Sequence, residues 1–203
     1  MLEHLMNNPV EGIKYIVMII LAVIIFIWYR SIPTDKGSIF RNPKAEKSLK
    51  KDFETITETH FDPERDDYML VVGMCLNIQT SLEKEAQPDE AFKLLPVEKQ
   101  HTMTLGYIFE DSRKKLSDFF HYNNEPLLSA AERAAKEVIG GEFADIILKE
   151  YDMFDEKKEE FSLSEDEVNN LNTRFSELMK EHGKEIYKKA ADYIRQNKSV
   201  FMS

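Results

Sequence analysis

Apolar positions fall into two regimes along the chain. From Tyr15 to Tyr29 they run without a charge, Pro or Gly; from about residue 44 onward they recur at helical spacing between polar residues. A helix rises about 1.5 Å per residue, so crossing a hydrocarbon layer of about 30 Å takes roughly 20 residues. The apolar run is slightly shorter, but Lys14 and Arg30 flank it and extend the span by carrying their charged heads to the interfaces. Tyr15, Trp28 and Tyr29 stand at its ends, where amphipathic rings favour the headgroup level. The pattern predicts one transmembrane helix over 13–32, anchored by Tyr15, Trp28, Tyr29 and Arg30. A cleaved signal peptide fits less well: the start, LEHLMNNPVEGIK, is almost free of basic residues, and no Ala-x-Ala site follows. A buried core helix would carry a polar face, which this run lacks.

Beyond a tail interrupted by Pro33, Gly37 and Pro43, the periodicity reads as helix throughout, with no period-two alternation and no Asn-Gly or Asp-Gly hairpin turn. Tyr68, Val71, Val72, Cys75, Ile78 and Leu82 share one face of a helix around 66–85, which Gln87-Pro88 ends. A short helix at 88–94 follows, and Pro96 opens another that runs to Tyr122. Asn123-Asn124-Glu125-Pro126 is a turn, and a helix over 127–139 stops at Gly140-Gly141. The chain resumes at Phe143–Phe154. Ser164 and Glu167 then form a capping box for the last helix, with Gly183 a point for a kink. The fold class is all-α: a single N-terminal transmembrane helix followed by a cytoplasmic multi-helix bundle. The boundaries are a short extracytoplasmic N-terminus at 1–12, the span at 13–32, a basic juxtamembrane linker at 33–52 and an acidic helical domain at 53–203.

Charge sets the orientation. Only Lys14 precedes the apolar run 15–29, whereas Arg30, Lys36, Arg41, Lys44, Lys47, Lys50 and Lys51 follow it. By the positive-inside rule the N-terminus lies outside and the remainder in the cytoplasm, at the inner membrane. The single cysteine, Cys75, suits a reducing compartment and falls on an apolar face as a small core residue. Residues 1–51 carry eight Lys and Arg against four Asp and Glu; residues 52–203 carry nineteen against thirty-three. The net of −14 in the second part disfavours direct binding of DNA or RNA.

The densest chemistry is acidic. Between Glu142 and Glu167 stand eleven carboxylates opposed by Lys149, Lys157 and Lys158. Glu150, Asp152, Asp155, Glu156, Glu159, Glu160, Glu165 and Asp166 are the candidate partner-binding surface, able to imitate duplex phosphates and steer a basic protein. Such a stretch also serves as a solvated face that keeps a protein soluble. Glu98/His101 and Asp118/His121 have the i, i+3 spacing of di-iron bundles but fall on one predicted helix, about 30 Å apart. The sequence contains no H-E-x-x-H, C-x-x-C, phosphate-cradling Gly loop or G-x-S-x-G elbow, and it names no catalytic residue, metal or cofactor.

The order of Asp118-Phe-Phe-His-Tyr-Asn123, Ile139-Gly-Gly, Phe143-Ala-Asp-Ile-Ile-Leu148, Ile186-Tyr187, Tyr193-Ile-Arg-Gln-Asn197 and Phe201 resembles the bacterial domain family named for the DNA mimic protein (DMP), over about 97–202. Where that family has an Asn-Gly-Gly-Phe turn, this chain has Arg113-Lys114-Lys115-Leu116. The resemblance implies an all-α domain, a homodimer, and action through an acidic surface on a DNA-binding protein. The expected function is a membrane-anchored, non-enzymatic interaction module, with the lipid bilayer and a basic protein as partners. A membrane-tethered hydrolase or metal-dependent enzyme, or a structural accessory subunit, is the competing expectation.

Overall fold

Helix α2 (Asp67–Leu82) is apolar on nearly every side, and the rest of the fold follows from covering it. Leu70 through Leu76 are all buried, as are Ile78 and Leu82. The sequence assigns this helix a single buried face, yet Leu70, Met74 and Leu76 are buried as well, because neighbours pack around it. Asp66 caps it, its Oδ1 accepting from the Met69 N–H at 2.8 Å.

The computed structural model describes residues 38–154 and 165–202, all within one compact unit, Ser38–Ser203. The described residues are all-α. Helix α1 (Pro43–Asp52) and a 3₁₀ turn (Glu58–Phe61) precede α2; α3 (Pro88–Leu94), α4 (Val97–Asp111), α5 (Leu116–Tyr122) and α6 (Leu127–Ala134) follow it. A π-helical turn (Ala135–Ile139) leads to α7 (Gly141–Met153), the long α8 (Glu165–Gln196) and a last turn, α9 (Lys198–Phe201). Helices α1, α4 and α8 pack on α2, while α6 lies against α4 and α7 against α8. Residues 38–52, assigned to the linker by their charge, belong to this body: Ile39 and Leu49 are buried. Among the described residues no helix is long and apolar enough to cross a membrane. The expected span at 13–32, with Tyr15, Trp28, Tyr29 and Arg30, lies outside the described residues, as does the expected cap Ser164.

Gly140 and Gly141 take φ of 72° and 57°, a region that favours glycine, and they end the helical run as expected. Helix α8 passes through Gly183 without a break in its helical assignment. The helix expected from Pro96 to Tyr122 is two helices, with the turn Ser112–Lys115 between them. The Ser117 N–H donates to Asn172 Oδ1 of α8 at 3.0 Å, and Asn172 Nδ2 donates to Ser117 Oγ at 3.2 Å. This tertiary pair takes over the amide that a continuous helix would bond to residue 113.

Close approach fixes one position on α2. A Cβ added at Gly73 would lie 2.2–2.4 Å from three ring carbons of Phe53. That ring is fully buried, stacked near His60 at 4.6 Å and covered by Arg65 at 4.7 Å, so it has nowhere to move. Gly73→Ala is expected to destabilise the protein by about 2 kcal/mol, overpacking outweighing about 1 kcal/mol of helix propensity. Denaturant unfolding checks it, and adding Phe53→Leu should restore part of the loss if the ring is the obstacle.

Candidate functional site

Helix α7 is amphipathic, and its two faces divide the acidic residues. Phe143, Ile146, Ile147 and Met153 point inward. Glu142, Asp145, Lys149 and Asp152 point out and are exposed. Glu142 pairs with Arg174 of α8 at 2.7 Å, while Asp145 and Asp152 stand in solvent. Asp166, at the start of α8, is exposed too. Asp155, Glu156, Glu159 and Glu160 lie outside the described residues; Glu165 opens α8.

Glu150 is a correction to the expected surface. It is fully buried, and neither carboxyl oxygen has a hydrogen-bond partner. The reason is periodicity: Phe143, Ile146, Ile147 and Glu150 follow i, i+3, i+4, i+7, so the residue sits in the core stripe whatever its charge. Burial pushes its pKa up to about 8, which keeps it protonated at neutral pH.

The one helix expected to carry both His motifs is two: His101 is on α4 and His121 on α5. His101 is buried with Nδ1 3.1 Å from the Tyr193 hydroxyl, and burial pulls its pKa below the ordinary value. Its Nε2 lies 3.8 Å from Glu137 Oε2 and makes no hydrogen bond. His121 is exposed beside Phe154, ring centroids 5.7 Å apart. Among the described residues no group of three or more His, Cys, Asp or Glu is placed to hold a metal ion. Burial raises the Cys75 thiol far above its usual range; its Sγ donates to the Met103 carbonyl at 3.4 Å, consistent with a core role.

Sequence reasoning missed two groups of residues. Glu110 is buried on α4, where Oε2 accepts from Ser38 Oγ at 2.9 Å, Ile39 N–H at 2.7 Å and Phe40 N–H at 3.0 Å. Its Oε1 accepts from the Tyr68 hydroxyl. No local motif signals this, because three of its partners are 70 or more residues away in the chain. The second group is the basic turn Arg113-Lys114-Lys115, whose signal was present as a run of cations in an acidic domain.

A concavity of about 320 Å³ lies between α2, α3 and the 122–127 turn. The rings of Tyr107 and Tyr122 line it with Glu83 and Asp89, and Tyr122 is 62% exposed. The Arg41 guanidinium sits 5.4 Å from the Tyr122 ring centroid, a cation–π contact. Compared with protein-family models, curated proteins and solved structures, the chain matches none.

Proposed function

We propose that this protein is a membrane-tethered interaction module that binds a basic protein through an acidic helical surface, without catalysing a reaction. The observation that carries the reading is the outer edge of α7, where Asp145 and Asp152 face solvent beside Lys149 and Glu142 is exposed while paired with Arg174. That edge leads in sequence into Asp155, Glu156, Glu159 and Glu160. Carboxylates along one helix edge offer a basic partner negative charge of the kind that a phosphate backbone would offer. The tyrosine-lined concavity adds a place for a partner's Lys or Arg side chain, since it joins ring faces with carboxylates. The resemblance to the DMP family points the same way and suggests a DNA-binding protein as the partner, with the module working as a homodimer.

In this reading the apolar run 15–29 inserts in the inner membrane, the N-terminus lies outside, and the acidic body works on the cytoplasmic side. The basic segment beside the span favours anionic lipid, at about 1 kcal/mol per Lys or Arg close to the surface. Tethering raises the module's effective concentration near the inner leaflet.

The test is capture of basic partners on the full-length chain in membranes, against a variant carrying Asp152→Asn, Glu156→Gln, Glu159→Gln and Glu160→Gln. Binding is expected to weaken by about tenfold or more in the variant, and to fall steeply with added salt in the parent. Unchanged, salt-insensitive capture would assign the acidic stretch to solubility alone.

A further inference from the structure

A basic groove runs along one side of this acidic protein. The turn Ser112–Lys115 faces the middle of α8, and the space between them forms a cavity of about 210 Å³ that continues into an open trough of about 610 Å³. Lys114, Asn172, Ser176 and Lys180 line both, so the two are one continuous depression. Arg113, Lys114 and Lys180 stand at the inner cavity, and Lys115 joins them in the trough. All four are exposed, and among the described residues none makes an ion pair. Glu177 is the one carboxylate on the lining, in the outer trough.

Two features mark the inner cavity as more than a cluster of surface cations. Ser112 lines it, is 5% exposed, and its hydroxyl has no hydrogen-bond partner. A buried hydroxyl left unpaired is costly, and a hydrogen bond to a ligand oxygen would recover that cost. Behind the cations, Phe109, Phe175 and Tyr187 supply a wall of rings. The Phe109 and Tyr187 rings are edge-to-face with centroids 5.0 Å apart, so the wall is set rather than formed on demand. Arg113 lines the cavity, and its guanidinium lies 5.4 Å from the Tyr68 ring centroid, a face contact that leaves its N–H edges for two oxygens of an anion.

We propose that this groove binds a phosphomonoester carrying an aromatic or apolar group. The phosphate takes Arg113, Lys114 and Lys180 with the Ser112 hydroxyl, and the apolar part lies against Phe109, Phe175 and Tyr187. Cations matched to a dianion, a buried hydroxyl and an apolar wall make a site that an inorganic anion satisfies only in part. The site is independent of the acidic face of α7 and of the partner proposed for it.

Phenyl phosphate, titrated calorimetrically into the full-length protein in neutral-lipid nanodiscs, is the direct probe. It is expected to bind at least about tenfold more tightly than inorganic phosphate, because only it uses the ring wall. Phenol, which lacks the charge, should not bind measurably. Lys114→Gln with Lys180→Gln, both exposed positions, should weaken phenyl phosphate by about tenfold or more without moving the unfolding midpoint. Ser112→Ala should weaken it several-fold, again with the fold intact. A second arm places phosphatidic acid in the nanodiscs: competition with phenyl phosphate identifies a lipid headgroup as the source, and its absence a soluble phosphomonoester. Binding of phenyl phosphate that survives Lys114→Gln with Lys180→Gln, or no binding by the parent protein, overturns the proposal.

Discussion

Replacing Glu150 with methionine is expected to raise the unfolding midpoint at pH 7 by about 10 °C and to remove the fall in stability that this carboxyl imposes between pH 4.5 and about 8. The reasoning starts from the proton. In the unfolded chain the carboxyl ionises near its ordinary value of 4.5; in the folded protein burial holds the proton until about pH 8. Between those values the unfolded state has released a proton that the folded state retains. Stability therefore falls as pH rises from 4.5 toward 8, is fully restored below 4.5, and levels off above 8. At 1.36 kcal/mol per unit, the cost at pH 7 is about 3 kcal/mol. Because the oxygens also lack hydrogen-bond partners, no local contact offsets it. Methionine fills a similar volume and satisfies the stripe that Phe143, Ile146 and Ile147 define. The measurement is denaturant unfolding of both proteins across pH 5 to 8. Parallel pH profiles for parent and variant would show that Glu150 does not titrate within the fold.

The same residue shows how much of the molecule is legible in the chain. The slot of Glu150 is visible in the 3.6-residue spacing, and only the habit of placing carboxylates outside argues against burial. Helices α2 and α3, the turn at 123–126 and the stop at Gly140-Gly141 are likewise written in spacing and in Pro, Gly and Asn. The break at Ser112–Lys115 is not. Leu105, Ile108, Phe109, Leu116, Phe119 and Phe120 fit one unbroken helix, and the choice is made by Asn172, 55 residues away from Ser117. Local periodicity carries no information about such a pair. The basic groove depends on that break, since a continuous helix would fan Arg113, Lys114 and Lys115 around its axis. Its cations were readable in the chain, but their gathering against Lys180 was not.

One carboxylate ties residues 38–40 to the helices, and removing it should be costly. Ser38 and Ile39 are buried but belong to no helix, so their polar groups need partners that secondary structure does not supply. Glu110 supplies them: the Ser38 hydroxyl and the Ile39 and Phe40 amides converge on Oε2, and the Tyr68 hydroxyl donates to Oε1. The carboxylate thus joins the start of the body to α4 and α2 at once. Glu110→Ala leaves these donors unmet in a site with little water and is expected to cost about 3–4 kcal/mol. Glu110→Gln keeps the shape but turns an amide toward donors that need an acceptor, and should cost about 2 kcal/mol. The two variants separate chemistry from volume in denaturant unfolding. Hydrogen exchange adds location, because the Ile39 and Phe40 amides should lose protection in both variants while α2 keeps its own. Exchange at 39 and 40 no faster than in the parent would mean that the segment is held by packing, through Ile39 in the core and Phe40 against Tyr107 with centroids 5.2 Å apart, and not by the carboxylate.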